Sequence, residues 1–488
     1  MLEPKTKVYV LPILRLTTVG EISGNGSLPV DHQINGVKVK YWRDTKFEAA
    51  HSRKTFAKFP IVLNADGSPW DPAVLWLMDK AKTNPGKLSS LLPIAQALRD
   101  YKVFLDDFGF DWSDFSSIEK LLRPTYVYLT HLRQLVSTGQ IKPSTANRRM
   151  STVIGLYRFA QCDQRLRFKP ANEPWVDKKI TIRYQDVRGF NRHKDVATTD
   201  LRIRIPPEED ALSDTINDGG KLRPMTVEEQ KALVSALQTL DNTEFSLMHY
   251  LGLLTGAREM TVMTLRLKDF VSPPSTISSW PYKVRCGPGT GIDTKLDRTN
   301  VYLNIPEALY GMLHVYGLSE RAKKRRAKSR MGDSPLNYLF LTRQGNPYYE
   351  GKDDRDTVRE TNGHLRRTSA QGQSLRGFIA NHVIPEVRKI LPEFRYKFHD
   401  TRATFAMNWI DHVMGTENSD SKKYYWALDQ LRKMMWHKNI ATTEKYLEYR
   451  SHRHHLDSAM QGWASHLLTM IEPVPQREDH PNDLEVYG

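Results

Sequence analysis

The stretch MTVEEQKALVSAL, residues 225–237, constrains the fold more than any other part of the chain. Thr226 followed three residues later by Glu229 has the form of a capping box, in which each side chain satisfies a backbone N–H that a helix start would leave unpaired. Leu233, Leu237 and Leu240 then recur at steps that bring them to one helical face. A domain therefore opens here on a helix. Just before it, residues 171–222 are rich in Pro, Asp, Arg and Gly, and PPEEDALSDTINDGGK carries no helical period. That segment reads as an interdomain linker, which suits a chain of 488 residues, longer than one compact core usually holds.

Upstream of the linker, residues 1–75 alternate short apolar and polar runs with Gly, Pro and Asn, the pattern of a few strands and loops. Residues 76–170 read as a helical domain. Leu91, Leu92, Ala95, Leu98, Leu105 and Phe108 follow a helical step, and a second helix is expected after Pro124. In PSTANRRMSTVIGLYRFA, Ser144 or Thr145 is the expected N-cap, with Met150, Val153, Ile154 and Tyr157 on the inner face. Arg148 and Arg149 sit near that helix start, either as a solvated basic face or laid against nucleic-acid phosphates. Downstream, residues 223–470 read as mainly helical, with strands expected at Tyr282–Cys286, Val301–Ile305 and Tyr338–Leu341. The tail 471–488 is rich in Pro and acidic residues. The fold class is mainly α with a small antiparallel β-sheet.

Charge narrows the partner. With 71 Lys plus Arg against 56 Asp plus Glu, the formal charge is +15, so polyanions, nucleic acid first, are attracted. Cys162 and Cys286 are far apart with no CxxC pair, which argues against a disulfide framework or a zinc knuckle and suits a reducing interior such as cytoplasm. No run of about 18 apolar residues suggests a membrane span.

Three segments carry residues suited to chemistry at a phosphate. FSLMHYLGLLTGAR places Arg258 just beyond a glycine turn, FHDTRATFA places His399 and Arg402 three apart, and MMWHKNIATTEKYLEY contains His437 and Tyr446 nine apart. Arginine gives paired hydrogen bonds to non-bridging oxygens and stays charged at any working pH, while histidine exchanges protons near neutrality. Each segment alone has an ordinary structural explanation. In their order and surroundings, TGAR, HDTRATFA and WHKNIATTEKY resemble the three signatures of the tyrosine recombinase, or phage integrase, family. MTVEEQKAL resembles that family's catalytic-domain opening, LFLTRQGNP the strand and turn before its histidine box, and residues 80–168 its helical core-binding domain.

The resemblance implies a helical core-binding domain joined to a tyrosine-recombinase catalytic domain, the two forming a clamp around double-stranded DNA. Tyr446 is then the nucleophile of a 3′-phosphotyrosine intermediate, Arg258 and Arg402 the phosphate clamp, His399 and His437 proton-handling and donor groups. It implies a lysine as general acid, for which Lys295 in GTGIDTKLDRTNVYLNIP is preferred and Lys283 remains the competitor. No metal or nucleotide cofactor is implied; a homo-oligomer, a tetramer on paired sites, is, and accessory DNA-bending proteins are compatible with it. The setting implied is cytoplasmic, in a bacterium or phage.

Some positions leave alternatives open. Tyr449, one helical turn after Tyr446, is a second candidate phenol, with packing as its plain role. Thr261 stands where the family usually has Glu, a support that is absent or supplied by Glu259. MGTENSDSKKYY lengthens the path from Arg402 to His437 and reads as a surface insertion. The basic run RAKKRRAKSR is either a solvated helix face or a phosphate contact. A type IB topoisomerase and a DNA-binding protein of the same fold without catalysis are the rival activities.

Overall fold

The computed structural model describes residues 5–15, 27–34, 37–44, 55–83, 90–185, 191–204, 214–295, 298–356, 370–415 and 421–471. The chain is mainly α, with small antiparallel two-stranded sheets. It divides into two compact units, Met1–Ala211 with Glu350–Gln371, and Leu212–Tyr349 with Gly372–Gly488.

In the first unit β1 (Lys7–Arg15) pairs antiparallel with β4 (Thr55–Leu63), and β2 (Ser27–Ile34) with β3 (Val37–Asp44). Four helices follow: α1 (Asp71–Thr83), α2 (Leu91–Phe108), α3 (Pro124–Ser137) and α4 (Pro143–Cys162). Their inner faces supply an aromatic core in which the Tyr101 and Tyr157 hydroxyls meet at 2.7 Å and Tyr157 donates to the Trp112 carbonyl. Pairing these hydroxyls removes the cost of burying them. Gly155 lets α4 approach Trp76: a Cβ there would lie 2.7 Å from the indole. Leu92 and Phe108, expected on the inner face of α2, are exposed. The helix ends where Gly109 turns left-handed at φ 69°.

Two sequence expectations differ here. The N-cap of α4 is Lys142, and Pro143 takes the first helical position, where its missing N–H costs nothing. Within residues 171–222 the chain forms a hairpin of β5 (Asp177–Gln185) and β6 (Asn191–Thr199), flanked by Trp175 and Leu201, both buried in the helical core. Polar composition hid the hairpin, because Asp177, Lys178, Lys179 and Asp195 on its strands are exposed.

The second unit begins with the short hairpin β7 (Ile216–Asn217) and β8 (Lys221–Leu222). The capping box forms, with Thr226 and Glu229 each closed on the other's backbone N–H, and α5 runs Val227–Thr239. The next helix, α6 (Thr243–Thr255), is buried around most of its circumference and stops at Gly256, φ 65°. It is the central post of the unit. Gly252 on α6 admits Thr401 so closely that a Cβ would meet its hydroxyl at 2.5 Å, which sets the start of the helix Asp400–Met414 against α6. After α7 (Glu259–Met263), β9 (Tyr282–Cys286) and β10 (Val301–Ile305) pair antiparallel as expected. Tyr338–Leu341 is not a strand; isolated bridges join Tyr338 to Arg266 and Leu341 to Pro347. It lacks a neighbour to make a ladder, although Tyr338, Leu339, Phe340 and Leu341 are all buried as the apolar pattern requires.

The basic run forms α9 (Glu320–Ala327) after α8 (Glu307–Leu318), and its Arg325 and Arg326 turn inward. Arg321 and Arg325 meet buried Glu244, and Arg326 binds Asp333 and the Gly317 carbonyl. Arg325 and Arg326 are therefore part of the packing, while Arg321, Lys323, Lys324, Lys328 and Arg330 stay exposed as a solvated face. A separate apolar cluster joins Ile216 and Leu222 of the β7–β8 hairpin to Ala403, Ala406, Leu431, Met435, Tyr446 and Leu447 from the helices Asp400–Met414, Ser421–Met434 and Ile440–Ile471. No helix among the described residues is long and apolar enough to cross a membrane. The tail 472–488 and residues 416–420 of the expected insertion lie outside the described residues.

Candidate functional site

Each signature residue enters the site from the end of an element. Gly256 reverses the chain after α6, and Arg258 then caps α7. His399 caps the helix Asp400–Met414, with Arg402 in its first turn. His437 follows the helix Ser421–Met434, and Tyr446 lies two turns into Ile440–Ile471.

Arg402 is almost wholly buried and spends its whole fork: Nη1 donates to the Gly256 carbonyl (2.8 Å), Nη2 to the Met435 carbonyl (2.6 Å) and Nε to Asp218 Oδ2 (2.8 Å). The same Oδ2 accepts from His437 Nε2 at 3.0 Å and from the Tyr446 hydroxyl at 3.1 Å. Arg258 Nη2 lies 3.8 Å from Oδ1. With the proton on Nε2, His437 can also accept from the Thr443 hydroxyl through Nδ1, 2.9 Å away, and its ring lies nearly parallel to that of Tyr446. Arg258, Arg402, His437 and Tyr446 thus converge on one carboxylate.

His399 is half-buried at the edge of this group, its Nδ1 3.9 Å from Glu259 Oε2. Glu259 in turn accepts a 2.7 Å hydrogen bond from Arg376 at Oε1. Thr261, where the expectation is a support either missing or replaced by Glu259, is buried and donates to the Asp293 carbonyl, while Thr264 accepts from the Asp293 N–H. Both threonines hold the loop that carries Lys295. The Lys295 ammonium occupies the space that a Cβ on Gly219 would take, and its charge reaches His399. Lys283 instead lies exposed on β9, opposite Asn304 of β10. Tyr449 donates to the Asp214 carbonyl, a brace at the base of the β7–β8 hairpin.

Electrostatics follow from this crowding. Burial first, then the Asp218 charge, raises the Tyr446 phenol far above its ordinary value. Burial and the charges of Arg258 and Arg402 push His399 down to about 4, so its ring is neutral at pH 7. Burial lowers Arg258 to about 10, with Arg402 adding repulsion. For Asp218 burial acts upward but is outweighed by the His437 hydrogen bond and the Arg402 charge, which hold it well below the usual carboxylate range.

In the first unit Arg149 is paired with Asp100 at 2.7 Å, while Arg148 is exposed on the same turn of α4. The residue that sequence reasoning missed is Asp218. Its signal was the Asp-Gly-Gly turn, a known hairpin former, inside a segment read as linker.

No family profile and no curated protein matches the chain. It is similar to solved structures of integrases and site-specific recombinases. One is the Tn1549 transposon integrase (residues 82–397) in complex with circular intermediate DNA, at 16% identity, covering 77% of this chain and 94% of that one, TM-score 0.43. Another is the XerH site-specific recombinase bound to difH substrate, at 12% identity, covering 77% and 80%, TM-score 0.39.

Proposed function

We propose that the chain is a site-specific DNA recombinase that cleaves and rejoins strands through a 3′-phosphotyrosine at Tyr446. The convergence of Arg258, Arg402, His437 and the Tyr446 hydroxyl on a single anion supports this reading. A phosphodiester presents the same charge and the same kind of oxygen acceptor as that carboxylate. With the scissile phosphate in the cradle, the arginines hold its non-bridging oxygens and His437 donates to one of them, stabilising charge that grows in the transition state. The Tyr446 oxygen bonds to phosphorus as the bond to the 5′ oxygen breaks; the phenol proton passes to the neutral His399, and Lys295 protonates the leaving oxygen. Attack by the 5′ hydroxyl of a partner strand reverses the step, with no metal, no nucleotide and no net hydrolysis.

The proposed partner is double-stranded DNA bound by a homo-oligomer on paired sites, with affinity dominated by phosphate contacts. The helical unit, with Arg148 exposed on α4, is the proposed core-binding domain. Incubation with a nicked suicide substrate bearing its own recombination site, followed by a denaturing gel, tests the reading. Wild type is expected to form a covalent adduct and Tyr446→Phe none. No adduct from wild type refutes strand transfer, and an adduct lost only in Tyr449→Phe reassigns the nucleophile.

A further inference from the structure

The carboxylate at the centre of the cluster belongs to none of the signature segments. It is carried on the tip of β7–β8, a hairpin with only two residue pairs, Ile216↔Leu222 and Asn217↔Lys221, and a turn that passes through Gly219 at φ 71°. The geometry points to Asp218 as an internal stand-in for the scissile phosphate, an autoinhibitory plug that a DNA phosphate must displace before Tyr446 can react. This rests on the proposed strand-transfer function and adds a gate to it.

Competition for donors is the first ground. Arg402 Nε, His437 Nε2 and the Tyr446 hydroxyl all point at Asp218 Oδ2 within 3.1 Å, so a phosphate can gain them only as the carboxylate leaves. The second ground is that the site does not need Asp218 to keep its shape. Arg402 is anchored independently by the Gly256 and Met435 carbonyls, and His437 by Thr443. A third is reach: the same turn crowds the Lys295 ammonium at Gly219, so moving that one turn frees the phosphate cradle and the lysine together. A role for Asp218 as acceptor of the Tyr446 proton fits less well, because the oxygen facing the phenol already accepts from Arg402 Nε and His437 Nε2. Ile216 and Leu222 hold the hairpin strands in the apolar cluster, so the part to be displaced is the turn at residues 218–220 alone.

The test uses the full-length chain with inorganic phosphate as the probe, titrated calorimetrically into wild type, Asp218→Asn and Asp218→Ala. Removing an internal competitor raises apparent affinity by the inverse of the open fraction, so both variants are expected to bind phosphate at least about tenfold more tightly. Asp218→Ala is also expected to form adduct on the suicide substrate faster than wild type. Unchanged or weaker phosphate binding in both variants overturns the plug, as does loss of adduct in Asp218→Asn. Phosphate binding needs no tyrosine chemistry. A gain in phosphate affinity with no adduct from any variant therefore upholds displacement and overturns strand transfer, whereas adduct without the gain does the reverse. Should the variants fail to fold, hydrogen–deuterium exchange of residues 216–222 in wild type decides: faster exchange on adding short duplex DNA supports the plug, and unchanged or slower exchange overturns it.

Discussion

Two buried carboxylates in the second unit are dressed almost alike. Glu244 receives Arg321 (2.8 and 2.9 Å), Arg325 (3.0 Å) and the Tyr316 hydroxyl (3.1 Å); Asp218 receives Arg402, Arg258, His437 and the Tyr446 hydroxyl, also at 3.1 Å. What differs is the support behind each. Glu244 sits in the first turn of α6, a helix buried around most of its circumference, so its cluster is built into the packing. Asp218 sits on the turn of a two-pair hairpin, outside any helix, and two of its partners, Arg402 and His437, have anchors of their own. Two arginines and a tyrosine around a carboxylate therefore do not mark a reactive site by themselves. On the proposed reading, what marks one is an exchangeable anion together with histidines able to move a proton.

The sharpest way to break this contrast is Arg402→Ala. Removing a preorganised donor to the phosphate is expected to lower adduct formation by about a hundredfold or more on the suicide substrate. Lysine should not restore it, since an ammonium cannot make the three-way fork seen here. Retention of near-wild-type cleavage would place the Asp218 cluster in the same structural class as that of Glu244.

Glu244→Ala tests the other side. It leaves Arg325 buried without its counter-charge, and breaking such a pair costs on the order of 3–5 kcal/mol, read as a lower unfolding midpoint. Adduct formation by the folded fraction should be unchanged. Equal losses of activity and stability would erase the distinction between the two carboxylates.

Acid should weaken the packing around α6 by a comparable amount. His249 is fully buried with Nδ1 at 2.6 Å from the Phe245 carbonyl, and burial lowers it from 6.5 to about 4. As pH falls through 6.5 the unfolded chain takes up a proton that the folded chain refuses until about 4. Stability is therefore lost across that window, by at most roughly 3 kcal/mol for this group. His399, lowered in the same direction, adds to it. Melting midpoints measured across the window should fall in wild type and fall less in His249→Leu; parallel curves would remove His249 as the cause.

Smaller effects refine the lysine loop and the helical unit. Thr261→Val leaves the Asp293 carbonyl without its donor, at about 1 kcal/mol, and should slow cleavage several-fold by loosening Lys295. An effect on stability with none on cleavage would detach Thr261 from the site. Least of all, Arg148→Ala should weaken duplex binding and reduce its salt dependence by about one phosphate contact, whereas Arg149→Ala, whose side chain is already paired with Asp100, should not. The reverse ranking would exchange their roles.

Local rules made much of this protein legible before any fold was known. The capping box at Thr226, the stop at Gly256 and the β9 and β10 strands all appear at the expected residues, because caps, glycine turns and alternating strands depend on neighbours a few positions away. Arg258, His399, Arg402, His437 and Tyr446 are named by the resemblance of their three segments to family signatures, not by local rules. The fates of RAKKRRAKSR and of Asp218 were not legible. Composition cannot tell an arginine that meets solvent from one that meets a buried Glu244 77 residues away, as Arg321 does. Nor can spacing bring Asp218 to Tyr446, 228 positions on, or set Lys295 rather than Lys283 beside the cluster. The sequence by itself determined most of the helices, several of their ends and the polar side chains they carry. Only the tertiary structure decided which anion those side chains face, because that depends on close approaches such as Gly252 against Thr401, between segments the chain order keeps apart.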